Sequence, residues 1–191
     1  MRKVSWRPIL HLLSALVPVS YAYGADKPTL LVLLGSGVVT ALVIERLRRV
    51  SESARTVFER WAGPLLREYE RKGVTAATWL AVSLLAATVL LPHAPAVAAM
   101  WCVTAGDPAA SFAGMAWRAH RNGSSGSGRT LAGSLALMGV SSLGAAVLAG
   151  FALPGAVAIG VVAAAAERAS GRVNDNVTIM IGAALTAMAV S

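Results

Sequence analysis

Seven apolar runs, at about 9–23, 28–44, 75–91, 94–117, 130–151, 153–167 and 173–190, leave this chain few ways to fold. Each approaches the roughly 20 residues that carry a helix across a bilayer. Hydrocarbon supplies no water to the backbone amides, so a run in that setting must be helical. Charged residues make up only 14% of the 191, against about 25% in a soluble domain, and they are clumped between the runs. Place Arg2, Lys3 and Arg7 in the cytoplasm and change sides at every run. Sixteen of the 17 Lys and Arg residues then fall on the cytoplasmic side, and only Lys27, beside Asp26, falls outside. That bias sets the orientation of membrane helices. The expected architecture is all-α: a polytopic integral membrane bundle of about seven helices, a single domain over 1–191, N-terminus cytoplasmic and C-terminus outside. The first run also fits a signal peptide, with Arg2 and Lys3 ahead of it and Ala22-Tyr23-Gly24-Ala25 behind. Retaining it gives the better charge balance. The net charge of +8 is assigned to orientation on the lipid bilayer and not to nucleic acid. The single cysteine, Cys102, excludes a disulfide framework and a thiolate metal cluster.

Two cytoplasmic segments carry patterns of their own. Within 45–73, Leu47, Val50, Ala54, Val57 and Trp61 recur every three or four residues, with Arg48, Glu52, Arg55 and Glu59 between them. This predicts an amphipathic helix along the cytoplasmic interface, ended by Gly63-Pro64. The segment 118–130 is Gly/Ser-rich and contains Gly123-Ser124-Ser125-Gly126-Ser127-Gly128-Arg129-Thr130 ahead of an apolar run. The pattern G-x-x-x-x-G-R-T is one residue from a Walker A loop. A genuine P-loop needs a preceding strand, and here an apolar helical run precedes it. The physics carries over all the same: glycines let backbone N–H groups approach phosphate, a helix N-terminus favours anions, and Arg129 adds a fixed charge. A flexible linker is the other reading of the same residues.

Three acids remain inside or at the edges of apolar runs: Asp107, Glu167 and Asp175. A carboxylate at the bilayer centre costs about 2.5–3.5 kcal/mol even on the lenient insertion scale, so each needs a cavity, a cation or a partner. Gly106-Asp107-Pro108 predicts a helix break with Asp107 as N-cap. Glu167 can pair with Arg168 or Arg172, and Asp175 can cap the last helix. Taken together near one membrane face, the three suit Mg²⁺, which binds one or two carboxylates plus substrate phosphates. The lone His11 in the first run reads more readily as a packed side chain than as a base.

In this order the segments resemble the CTP-dependent lipid-alcohol kinase family, which comprises dolichol and polyprenol kinases, phytol kinases and CTP-using diacylglycerol kinases. The similar stretches are Gly106-Asp107-Pro108-Ala109-Ala110-Ser111 with Gly114, then Gly128-Arg129-Thr130-Leu131-Ala132-Gly133-Ser134, then Glu167, and last Asp175-Asn176-Val177-Thr178-Ile179. Arg2-Lys3 with His11, and 67–70 running into Thr75-Ala76-Ala77-Thr78, are similar too. Two positions depart: the family's Lys stands here as Arg129 and its Glu as Ala132. The resemblance implies phosphoryl transfer from CTP to the hydroxyl of a membrane lipid alcohol at the cytoplasmic face of a prokaryotic cell membrane. It implies Asp107 and Asp175 as catalytic carboxylates, and Mg²⁺ held by Asp107, Glu167, Asp175 and Asn176. The triphosphate falls to Gly126, Gly128, Arg129, Thr130, Gly133 and Ser134, with Arg67 and Arg118 within reach of phosphate.

Two rival readings stay open at this level. A CDP-lipid synthase also uses CTP but transfers the cytidylyl group; its larger basic and acidic cluster, with a Lys-Asp pair and a late Asp-Arg-x-Asp, has no counterpart in this sequence. A non-enzymatic or inactive membrane protein of the same fold is favoured by Ala132. Gly139, Ser142, Gly144 and Ala149 permit close helix contact within one subunit or in a homo-oligomer.

Overall fold

The computed structural model describes residues 7–66, 68–120, 129–171 and 173–191, and all regular structure among them is helical. In chain order the α-helices are α1 (Arg7–Leu13), α2 (Leu16–Ala22), α3 (Lys27–Val50), α4 (Glu52–Ala62), α5 (Glu68–Lys72), α6 (Ala76–Leu90), α7 (His93–Trp101), α8 (Asp107–His120), α9 (Leu131–Val147), α10 (Leu153–Ala169) and α11 (Asp175–Ala189). A 3₁₀ turn, Gly63–Leu65, follows α4, and a π-helical turn, Cys102–Gly106, joins α7 to α8.

Helix starts follow side-chain capping. The Asp26 carboxylate accepts from the Thr29 N–H at 3.0 Å and the Thr29 hydroxyl at 2.7 Å, with Pro28 in the first turn of α3. Ser51, Thr75, Thr130 and Asn174 accept in the same way at the starts of α4, α6, α9 and α11. Each satisfies a backbone donor that the helix leaves orphaned.

Two apolar runs deviate from single straight helices, and a proline explains each. Pro18 has no N–H for the carbonyl of Ser14, and its ring crowds that carbonyl. The first run accordingly splits at Ser14–Ala15 into α1 and α2, and the Ser14 hydroxyl donates instead to the His11 carbonyl. Pro108 stands in the same relation to Thr104. There the helix does not break, contrary to the capped break expected at Gly106-Asp107. It widens: the Asp107 N–H reaches back to the Cys102 carbonyl, and Asp107 itself is helical at φ −63°, ψ −46°. The amphipathic segment is also divided, because Ser51 ends α3 and starts α4, so Leu47 and Val50 belong to the longer helix. Of the 118–130 segment, 121–128 lie outside the described residues, Gly126 and Gly128 among them.

The interior is built from small side chains. Residues 95–100 and 102–106 are all buried, and around them pack Ala145, Ala156, Ala163, Ala183 and Ala187 with Leu137, Ile159 and Ile179. Glycines set how closely the helices approach. A Cβ on Gly144 would lie 2.1 Å from the Trp101 ring, whose Nε1 donates to the Val140 carbonyl at 2.9 Å. One on Gly160 would lie 2.2 Å from the Ser142 hydroxyl and 2.5 Å from the Met138 carbonyl oxygen, so α9 and α10 meet nearly backbone to backbone. Both contacts fall within one chain. Many large apolar side chains point outward: Val32 is 74% exposed, Leu90 75% and Leu153 70%. Among the described residues only α3, at 24 residues, is long and apolar enough to cross a membrane. Its length is about 36 Å at 1.5 Å per residue, and it buries a single stripe of Leu30, Leu34, Val38, Glu45 and Arg48.

These contacts set an expected pair of outcomes for helix approach. Gly160→Ala forces a methyl against a backbone carbonyl and lowers stability by about 1–3 kcal/mol. Gly139→Ala has nothing within 4 Å and changes stability by no more than about 1 kcal/mol, in the stabilising direction if at all. Thermal unfolding of the two purified variants checks both; equal losses would rule out this packing.

Candidate functional site

Charged and polar side chains gather at one end of the bundle. There α3 and α10 finish, α6, α9 and α11 begin, and α8 runs alongside. Two cavities occupy this end. The larger, about 620 Å³, is walled mainly by apolar groups, among them Ile44, Phe58, Leu65, Leu80 and Met115. The smaller, about 360 Å³, is lined by Arg118, Arg129, Thr130, Ser134 and Glu167, with Gly114 and Gly133. Asp107, Ser111, Arg118 and Asp175 border both. Three of these four come from α8, at positions i, i+4 and i+11, which fall on one face of a helix. The fourth opens α11.

The structure thus brings Asp107, Glu167 and Asp175 to one cavity, and the charges of Asp107 and Asp175 act on Glu167. Their immediate partners differ. Asp107 Oδ2 lies 3.3 Å from Nδ1 of His11, which α1 lays against α8. Glu167 Oε1 accepts from Arg129 Nε at 2.7 Å, and Arg129 also bonds the Ser170 hydroxyl. The cation expected to face phosphate and the acid expected to face metal are therefore bonded to each other. Among the described residues, no group of three or more His, Cys, Asp and Glu side chains is placed to hold a metal ion.

The remaining expected residues divide between lining and structure. Thr130 caps α9 through the Gly133 N–H at 3.0 Å. Gly133 is required by packing, since a Cβ there would lie 2.9 Å from the Ala110 carbonyl oxygen. The Ser134 hydroxyl accepts from Arg168 Nε at 2.8 Å. Asn176 is buried, and its amide donates to the Ala76 carbonyl at 3.0 Å, which ties α11 to α6. Asp175 is not the cap of α11; Asn174 takes that place, accepting from the Asn176 N–H at 3.0 Å. As the first helical residue, Asp175 puts its charge at the positive end of the helix.

Sequence reasoning passed over a buried pair below the larger cavity. Arg48 Nε donates to Glu45 Oε2 at 2.8 Å, and the guanidinium also reaches the carbonyls of Arg71 and Gly73. The other oxygen of Glu45 accepts from the Thr75 N–H at 2.8 Å and the Thr78 hydroxyl at 3.2 Å. The pair ties the return segment after α5 to the end of α3. Arg48 also lies 5.2 Å from the centroid of Phe58, which brings α4 over the cavity. The signal was available: Leu30, Leu34 and Val38 form a buried stripe, and Glu45 and Arg48 continue it.

No protein-family model matches the chain, and neither a curated protein nor a solved structure does.

Burial separates two pairs of equal spacing. Arg48→Ala removes the nearest partner of buried Glu45, leaving it Arg49 at 3.6 Å and the Thr75 and Thr78 donors, and lowers stability by about 1.5–3 kcal/mol. Arg55→Ala breaks the exposed pair with Glu52 at 3.3 Å and costs no more than about 0.5 kcal/mol. Thermal melts of the two variants test the contrast, and a small loss at Arg48 would contradict the buried network.

Proposed function

We propose that this protein is a lipid-alcohol kinase of the CTP-dependent kind, set in a membrane with both cavities open to the cytoplasm. The single observation that carries the reading is the meeting of an apolar cavity with a polar one at Asp107, Ser111, Arg118 and Asp175. Transfer to a lipid hydroxyl needs just such a junction: a greasy tail on one side, a polyphosphate on the other, and charged groups where they touch. Phosphoryl transfer asks for positioning and charge neutralisation more than covalent help from the protein. The outer surface supports the membrane setting. Many Leu, Val and Ile side chains are exposed, and the closest helix contacts are made at Gly144 and Gly160, the kind of small-residue contact by which helices pack in lipid. The polypeptide from α7 through the π turn to α8 is a second long helical stretch, and α6, α9 and α11 are shorter apolar helices. A bundle of about seven spans, N-terminus inside, is the reading that best joins this surface to the one-sided charge.

In this reading Arg118 and Arg129 hold phosphate oxygens in the polar cavity, beside the N-terminal turn of α9. The lipid hydroxyl sits at the junction. Its oxygen bonds the γ-phosphorus of CTP while the bond from that phosphorus to the β–γ bridging oxygen breaks, CDP leaves, and the hydroxyl proton passes to a carboxylate oxygen of Asp107 or Asp175. Two carboxylates, Asp107 and Asp175, border both cavities, a donor set of the kind Mg²⁺ uses when substrate phosphates and waters complete its shell. Asp107 and Asp175 would hold it, with Glu167 joining once Arg129 turns to phosphate. When bound, the ion offsets the negative charge of the phosphates. Asn176 contributes by keeping the start of α11 against α6.

The test supplies purified protein with γ-labelled CTP or ATP and a panel of polyprenols, phytol and diacylglycerol, and follows label into the organic phase. Label in the lipid with release of CDP is the expected result; pyrophosphate release would indicate the cytidylyltransferase instead. Asp107→Asn and Asp175→Asn should each lower turnover by on the order of 10²–10⁴-fold with the helical content unchanged. Full transfer by both variants would overturn the assignment.

A further inference from the structure

α4 walls the larger cavity with only part of its surface. Phe58 and Ala62 border the cavity, and Phe58 lies against buried Arg48. One stripe further round the helix, Val57 and Trp61 are 59% and 79% exposed, and no residue of α4 is buried. Trp61 is the most exposed large apolar side chain among the described residues, and tryptophan concentrates where hydrocarbon meets headgroups. The apolar surface does not begin with α4. Leu47 and Val50, in the last turn of α3, are 48% and 59% exposed, and Ser51 alone separates the two helices. Charge is sorted in the same place. Between 45 and 62 five arginines stand against three glutamates. Every one of these arginines except Arg48 is exposed, whereas Glu52 is the one exposed acid. The Arg55–Glu52 pair, exposed and 3.3 Å long, is too weak to withhold Arg55 from another anion. At 3.6 residues per turn, Arg55 and Arg60 flank the apolar face. A helix with an aromatic apolar face and arginines beside it is suited to lie in the plane of a membrane surface, where anionic lipid strengthens its hold.

We propose that α4 is a docking surface for anionic phospholipid: Val57 and Trp61 enter the leaflet in which α3 ends, and Arg46, Arg55 and Arg60 take its headgroup phosphates. The proposal rests on the membrane setting of the proposed function and extends it, because it assigns a lipid partner to a helix that also walls the larger cavity. The same 11 residues present Phe58 and Ala62 to the cavity and Val57 and Trp61 to the leaflet. Attachment of the outer stripe therefore holds the inner one in place, and the lipid composition of the leaflet acts on the cavity wall through α4.

The test places single spin labels on the full chain in nanodiscs of phosphatidylcholine, alone or mixed with phosphatidylglycerol. Val57→Cys, Thr56→Cys and Val39→Cys supply the sites, all at exposed positions; the native Cys102 is fully buried and takes no label. Oxygen concentrates in lipid and a nickel chelate in water, so collision with each reports the phase around the label. Oxygen should dominate at Val57 and nickel at Thr56, on the far side of α4. Phosphatidylglycerol should raise the docked-to-undocked ratio at Val57. In the mixed discs Arg55→Gln and Arg60→Gln should each lower that ratio roughly fivefold, the effect of one cation near an anionic surface. The proposal is overturned by nickel access at Val57 equal to that at Thr56, or by a Val57 label that protein shields from both reagents. A ratio that ignores the lipid mixture, or both arginine variants, overturns it too. Val39, on the exposed face of α3, marks the membrane setting itself. Nickel access there brings down the reading of the whole protein, whereas oxygen access there with a failure at Val57 removes the docking surface alone.

Discussion

Pro108 has no N–H to return to Thr104, and the geometry of the site follows from how the chain absorbs that loss. A break would have let α8 swing away from α7 and solvated the exposed carbonyls. The helix opens into one π turn instead, with the Asp107 N–H bonding to the Cys102 carbonyl. Such turns often coincide with functional positions. Here the turn is fully buried, because Gly106 offers no Cβ to a neighbour that needs the space: a methyl there would lie 2.6 Å from the Ser141 hydroxyl. The helix thus passes through the core without exposing its backbone, and it delivers Asp107, Ser111 and Arg118 along one face of α8.

Delivering that face requires that the ends of α3, α6, α9, α10 and α11 hold still around it. Two paired charges and one amide do this. Glu45 and Arg48 fasten the return segment to α3, Arg129 and Glu167 join the start of α9 to the end of α10, and Asn176 fastens α11 to α6. Buried pairs of this kind carry little net stability compared with an apolar replacement, but losing one partner is expensive. Their effect is therefore to specify an arrangement. The Arg129–Glu167 pair differs from the other in being only partly buried, with 35% of the arginine side chain exposed. On the proposed reading that exposure lets Arg129 exchange Glu167 for a phosphate, an exchange the more deeply buried Glu45–Arg48 pair does not offer.

Much of the fold was legible because its signals are local. Capping residues and prolines mark the starts of the helices, and the apolar runs mark their bodies. The departures came where a proline lies inside a run, since sequence alone does not say whether a helix breaks, as at Pro18, or widens, as at Pro108. The candidate site was legible in part. Charges placed in apolar runs are conspicuous, so Asp107, Glu167 and Asp175 could be grouped, and the structure brings them to one cavity. Pairings across the chain were not legible. Nothing near residue 129 announces residue 167, and nothing near residue 11 announces residue 107. Gly133 shows the opposite failure: a glycine in a phosphate-like motif is held there by the Ala110 carbonyl of α8, a packing demand that a loop pattern cannot reveal. Glu45 and Arg48 continue the buried stripe of Leu30, Leu34 and Val38 in register, so their burial is legible in the helical spacing even though the charges around them mark the segment as polar.

The outward Leu and Val side chains and the polar end are two consequences of one segregation. Much of the interior is Ala, and many Leu, Val and Ile side chains face outward; on the proposed reading that surface meets another apolar phase. The charges of the chain must then collect where the helices leave that phase. Any cavity at that boundary inherits both solvents: apolar walls from the helices and polar walls from their ends. The two joined cavities have this composition, and a molecule with a hydrocarbon tail and a polar head is the kind that gains from occupying both at once. On the proposed reading its head is held where α8 turns from buried to charged, at Asp107. On the proposed reading, the position of the chemistry is therefore set by the same partition that sets the fold, and the acid at that depth is stabilised by what surrounds it: His11 on one side and the polar cavity on the other.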